Sequence, residues 1–273
     1  MPAASFLRRA LPLIVVAAVA AGCTTEASPQ LRVRDQVQPK PSASAPKCKA
    51  KPVKASFDYP RGFPGTDRAF VQKVTRQAIS YFGIRTTNCV KRDPVDVRLL
   101  AARGSHNIVG WADYGDIEIY TESPGWAQNS QGFRAQTLFH EWYHVLQRTL
   151  STAPPPPTWF FEGSAEWAAL DAAVHFGYFD DMDEVRPLLR YDARQPPRPL
   201  DKAKPANPGV YSLYFTSIDF LLKEHGGRDR LRQFWQRYNP GDSWKATFQS
   251  VFKTKVTTFL KKFEAHREAG FTD

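Results

Sequence analysis

From Thr66 the apolar positions fall at helical spacing: Phe70, Val71, Val74, Ala78, Ile79 and Phe82 share one face. Thr66 or Asp67 is placed to cap this helix, and Gly83 to end it. After Pro94 the period changes. In VDVRLLAAR the residues Val95, Val97 and Leu99 alternate with polar ones, as in a half-buried strand. The stretch NIVGWADYGDIEIYT predicts a hairpin with Ile117 and Ile119 inward and Glu118 outward. A polar break follows at Ser123-Pro124-Gly125, and from about Ser130 the pattern is largely helical to the end. Pro154 to Pro157 forbid a continuous helix and read as a stiff spacer, after which Thr158 is placed to cap the next one. Strands first and helices after predict one α+β domain, a small N-terminal sheet with a helix followed by a mainly helical C-terminal half.

The first residues do not belong to that domain. Arg8 and Arg9 precede an apolar run from Ala10 to Ala21, so residues 1–22 read as an export signal. Its end, Ala20-Ala21-Gly22-Cys23, resembles a bacterial lipobox, which implies cleavage before Cys23 and lipidation of that cysteine. The expected location is therefore the outer face of the bacterial cell membrane, held by an N-terminal lipid anchor. Residues 23–56 are rich in Pro, Ser, Ala, Lys and Gln and cannot bury enough surface to offset ordering, so they read as a flexible tether. Residues 57–273 read as the folded domain, and the 42% hydrophobic content of the whole chain suffices for a full core. With Cys23 taken by lipid, Cys48 and Cys89 remain, an even number in an oxidising compartment, and a disulfide between them is expected. The formal charge of +10 is concentrated in Lys40, Lys47, Lys49, Lys51 and Lys54, beside the anchor, where an anionic surface would attract them. Nucleic acid is not an expected partner, because no binding motif accompanies the charge and the chain is read as exported. A monomer is expected.

The chemistry concentrates in TLFHEWYHVLQ and WFFEGSAEW. His140 and His144 are one helical turn apart and so face the same way, a ready pair of zinc ligands. Glu141 between them is placed as the general base of the H-E-x-x-H pattern. A catalytic zinc needs a third protein ligand and one open position, and Glu162 on the next helix is the candidate. Glu166 lies one turn beyond Glu162, on the same face, placed to accept the second ring N–H of a liganding histidine. His106, His175, His225 and His266 have no partners at ligand spacing. Trp142, Tyr143, Trp159 and Trp167 read as packing residues, and Phe259 and Phe263 share the face that docks the last helix.

HEWYH followed by FEGSAEW resembles the gluzincin metallopeptidases, specifically the bacterial peptidase MA-like group, where H-E-x-x-H is followed by E-G-x-A-E. The resemblance extends to Val210-Tyr211-Ser212 through Gly226, similar to a later helix of the group, and to the closing VFKTKVTTFLKKFEAHRE. It implies a zincin-like metallopeptidase domain holding one zinc ion on His140, His144 and Glu162, with Glu141 as base and Glu166 behind the ligands. It also implies that Tyr211, or alternatively Tyr214, donates a hydrogen bond to the oxyanion, and that the strand Ile117–Tyr120 is the edge along which a peptide or protein substrate adds as a further strand. The Gly-x-Met-Glu-Asn stretch of the aminopeptidase branch is absent, which favours internal cleavage. Two other readings share these residues: a lipid-anchored envelope binding or scaffold protein retaining the zinc fold without turnover, and a zinc hydrolase of a non-peptide amide. The presence of Glu141 favours an enzyme, since a scaffold needs ligands but no base.

Overall fold

The structure, a computed structural model, describes residues 51–85, 94–102, 109–112, 115–205, 207 and 209–272. The signal, Cys23, nearly all of the tether, Cys48, Cys89 and His106 lie outside the described residues. Among the described residues, ordered structure begins before the boundary read at residue 56. Val53 is buried, Pro52 forms an antiparallel bridge with Arg85, and Ala55–Asp58 is a strand, β1. Only Val53, Ala55 and Phe57 alternate here, too short a run to stand out against the Pro/Lys-rich stretch before it.

Helix α1 (Gly65–Tyr81) connects β1 to β2 (Val95–Leu100), which pairs with β1 in parallel. Strand β4 (Asp116–Tyr120) lies parallel to β2, and β3 (Gly110–Ala112) folds back antiparallel onto β4 as the expected hairpin. The sheet order is β1-β2-β4-β3. The strand Ile117–Tyr120 is therefore internal, which corrects its reading as the edge. The other arm of its own hairpin covers it, with Ala112 opposite Ile117, and makes Gly110–Ala112 the outer strand. Helix α1 is not capped by Thr66 or Asp67. It starts one residue earlier behind Pro64, whose fixed φ presets the turn into the helix, and it ends at Gly83 with φ +59°.

The remaining elements are helical: α2 (Pro124–Ala127), α3 (Gln131–Leu150), α4 (Thr158–His175), α5 (Met182–Asp192), a 3₁₀ turn (Leu200–Lys202), α6 (Val210–His225), α7 (Asp229–Arg237), α8 (Trp244–Phe252) and α9 (Val256–Glu268). Val95, Val97, Leu99, Ile117 and Ile119 join one core with Val71 and Val74 of α1 and Leu138, Phe139 and Trp142 of α3. The architecture is α+β, a small sheet followed by a mainly helical remainder. Between α3 and α4 the proline run is held in place, Tyr238 donating its hydroxyl proton to Pro154 O at 2.9 Å. Pro157, not Thr158, precedes the first turn of α4, and no side chain caps it.

Helix α4 is the hub, packed against α3 on one side and α6 on the other. Gly163 permits the second contact: a Cβ there would stand 2.6 Å from Tyr214 O. A buried polar strut also ties the helices, with Trp167 Nε1 donating to Asp219 Oδ1 at 3.1 Å and Arg186 Nε to Asp219 Oδ2 at 3.0 Å. Phe259 and Phe263 are buried and dock α9, Phe259 stacking on Trp159 at 5.5 Å.

Candidate metal centre

Helix α3 carries buried residues around most of its circumference, so the polar ones among them need internal partners. His140, Glu141 and His144 are all buried, as are Glu162 and Glu166 on the facing turns of α4. The one-turn spacing brings the two imidazoles together, His140 Nε2 standing 2.9 Å from His144 Nε2. Glu162 Oε2 closes the triangle, 3.3 Å from His140 Nε2 and 3.4 Å from His144 Nε2. Four-coordinate zinc with bonds of about 2.0–2.2 Å sets its ligands roughly 3.3–3.6 Å apart, a separation that both sides to Glu162 match, while the side between the two imidazoles is shorter at 2.9 Å. The three residues form a group able to hold a metal ion.

The partners behind these donors decide which lone pairs face inward. Glu166 Oε1 lies 3.3 Å from His140 Nδ1, and its other oxygen accepts from Gln136 Nε2 at 3.2 Å. Gln147 Oε1 lies 2.7 Å from His144 Nδ1. The acceptor behind His144 Nδ1 directs its ring proton there and leaves its Nε2 lone pair pointed into the triangle, whereas His140 Nδ1 has the Glu166 carboxylate beside it without a hydrogen bond. Two ring nitrogens and a carboxylate oxygen then converge and compete for the same proton or cation. Glu162 Oε2 is accordingly buried without a hydrogen bond. A cation satisfies all three at once, and the donor set of two imidazoles and one carboxylate suits zinc.

The electrostatics agree. Burial alone would raise the Glu162 pKa, but His144 and His140 outweigh it and hold the carboxyl at about 2. Burial alone would lower that of His140, but Glu166 and Glu162 carry it well above the ordinary value. Proton and metal compete for that nitrogen, so ion binding displaces a proton. Burial lifts Glu141 to about 7, against the opposing pull of both histidines, which is the range of a general base working near neutrality. Strand β3 crosses beside this carboxylate, and a Cβ on Gly110 would stand 2.6 Å from Glu141 Oε1.

The two tyrosines are placed differently. Tyr211 is buried, and its pKa is raised far above 10 by burial and then by Glu162, Glu166, Tyr214 and Glu141, so its hydroxyl stays protonated among the site's carboxylates. Tyr214 donates its hydroxyl proton to Ala203 O at 2.8 Å. The structure brings Tyr211 into the electrostatic field of the cluster and commits the Tyr214 hydroxyl elsewhere.

No protein-family model matches the sequence, and no curated protein matches it. Among solved structures, the crystal structure of a mutant M1 zinc metallopeptidase from Deinococcus radiodurans is similar, with a TM-score of 0.52 at 16% identity. The likeness covers 77% of this chain and 48% of that one, so this chain spans about half the length of its neighbour. The two chains share a fold. At this identity the likeness speaks for the α+β zincin-like fold, and the residues described above supply the chemistry.

Four contributors escaped sequence reasoning: Gln136, Gln147, Gly110 and Phe161. Gln136 and Gln147 follow the helical repeat, four before His140 and three after His144, and that spacing was the available signal. Phe161 stacks on the His144 ring at 4.5 Å and 18°. Nothing local marked Gly110, because its contact with Glu141 arises from the hairpin's return across α3. The tryptophans and tyrosine read as packing are buried, Trp142 Nε1 donating to Thr75 Oγ1 at 3.3 Å. His175 and His266 lie against aromatic rings, away from the ligand cluster.

Proposed function

We propose that this protein is a zinc-dependent peptidase that cleaves peptide bonds internally, working at the outer face of a bacterial membrane. The observation that carries the proposal is the buried His140, His144, Glu162 triangle with Glu141 beside it. Those three side chains would hold the ion. When bound, zinc supplies Lewis acidity, activating water and polarising the scissile carbonyl. Glu141 takes the proton of the attacking water and returns it to the leaving amine, a two-way role suited to a carboxyl lifted to about 7. Tyr211 donates to the carbonyl oxygen as it gains charge. Glu166 holds His140 from behind. Substrate backbone would lie along β3, the outer strand beside Glu141, by strand addition.

The full chain, incubated with a diverse peptide library, is expected to yield internal cuts that a chelator abolishes and added zinc restores. The Glu141→Gln variant is expected to bind zinc and lose cleavage by roughly 10²–10⁴-fold. Full activity in that variant would remove the mechanism, and zinc binding without any cleavage in the wild-type chain would favour the scaffold reading.

Membrane attachment at Cys23 and the Cys48–Cys89 disulfide belong to the same proposal. Both cysteine sites lie outside the described residues. Pro52 opposes Arg85 in antiparallel register, and Val53 N donates to Ile84 O at 3.1 Å. Cys48 is four positions before Pro52, and Cys89 four after Arg85.

A further inference from the structure

We infer that Gln147 is the positioning residue that fixes the tautomer and orientation of the second α3 ligand, His144, an inference that rests on the zinc reading above. Gln147 is 1% exposed and stands between the helices. Its Nε2 donates to Phe161 O at 3.0 Å and to Ser164 Oγ at 2.9 Å. These two acceptors, one a backbone carbonyl and one a side-chain hydroxyl, flank Glu162 in sequence.

The orientation of that amide is fixed. Ser164 Oγ donates its own proton to Phe161 O at 3.0 Å and so can only accept from Gln147. A flipped amide would turn its oxygen towards a carbonyl and a hydroxyl whose proton is already committed, where nothing can donate to it. Oε1 must therefore face His144 Nδ1, at 2.7 Å, and Nδ1 must carry the ring proton. The Nε2 lone pair is then aimed at the triangle, while Phe161 stacks on the ring at 4.5 Å and limits its tilt.

His144 is thus held in its plane by Gln147 and across its plane by Phe161, both set by the same turn of α4. The arrangement differs from that at His140, whose Nδ1 faces a carboxylate. An amide cannot take up the proton, so the tautomer of His144 is set without adding another negative charge to a site that already holds Glu141, Glu162 and Glu166. Gln147 touches no reacting atom. It acts through His144.

The test is zinc affinity of the full-length protein, measured by competition with a chromogenic chelator, together with ring ¹⁵N spectra of His144. The Gln147→Met variant, which fills the volume but accepts no hydrogen bond at that position, is expected to bind zinc about 10–100-fold more weakly. Gln147→Glu keeps the acceptor and loses the two donated bonds; it is expected to melt at lower temperature yet stay within about threefold of wild-type affinity. A purely structural role would weaken both variants alike. In the wild-type protein, chelated or zinc-loaded, the spectra should show a proton on Nδ1 of His144, with Nε2 the metal-bound atom after loading. Wild-type affinity in Gln147→Met, equal loss in the two variants, or a His144 proton on Nε2 would overturn the inference. A wild-type chain that takes up no zinc overturns the zinc reading instead, and the spectra of the chelated protein still decide the tautomer.

Discussion

Gly110 lies so close to Glu141 that a single methyl in its place would stand 2.6 Å from Glu141 Oε1. No Cβ is tolerated at that distance, so Gly110→Ala must move either the strand or the carboxylate. The three ligand residues are on other elements, α3 and α4, and are not touched by the added atom. The expected result is a protein with normal zinc content whose kcat falls by roughly 10-fold or more, the scale on which small misplacements near a reacting group act. Steady-state kinetics beside metal analysis check this. An unchanged kcat would mean that Glu141 is not held against β3.

Tyr211 and Tyr214 offer a paired test, because their hydroxyls lie in different surroundings. Tyr211→Phe removes the hydroxyl lying in the field of the carboxylates, and kcat is expected to drop about 10²-fold, as for loss of one oxyanion donor. Tyr214→Phe removes the bond to Ala203 O and is expected to cost about 1 kcal/mol of stability with little change in kcat. Thermal melts and turnover on the two variants decide it, and the opposite pattern would reassign the oxyanion donor.

Gly163 is constrained by packing rather than chemistry. Its substitution by Ala drives a Cβ to 2.6 Å from Tyr214 O, a backbone atom that cannot swing aside. Overpacking of this kind costs about 1–3 kcal/mol, so Gly163→Ala should lower the melting temperature by several degrees while zinc still binds. A variant as stable as wild type would show that α4 and α6 are not in such close contact.

These residues also show which parts of the protein could be read from its sequence. His140, Glu141 and His144 are legible because helical geometry alone puts residues one turn apart on one face. The hairpin and the long helices are legible for the same reason, their periodicities being local. What sequence could not give is set by tertiary contacts. The resemblance puts the outer strand at Ile117–Tyr120, whereas pairing order depends on where the short Gly110–Ala112 arm returns. The helix starts at Pro64 and Pro157 were misread because a good capping side chain, Thr66 or Thr158, stood nearby while proline backbone geometry did the work. Gln147 was passed over because glutamine carries no charge to draw attention, and its importance appears only when α4 supplies Phe161 O and Ser164 Oγ.

The N-terminal staple is testable without touching the site. Protein isolated from an oxidising compartment should yield, on non-reducing digestion and mass spectrometry, one peptide pair joined through Cys48 and Cys89. Reduction is expected to cost roughly 2–4 kcal/mol of stability. Two free thiols would end the proposal.

The account rests on one meeting point, where side chains of α3 and α4 converge. Crystals of the full-length protein grown with zinc, with diffraction data collected on either side of the zinc absorption edge, address it directly. The account predicts one strong anomalous peak per chain, bonded to His140 Nε2, His144 Nε2 and a carboxylate oxygen of Glu162, with Glu141 close by but unbonded. A peak elsewhere, or Glu162 turned out of the triangle, would contradict it.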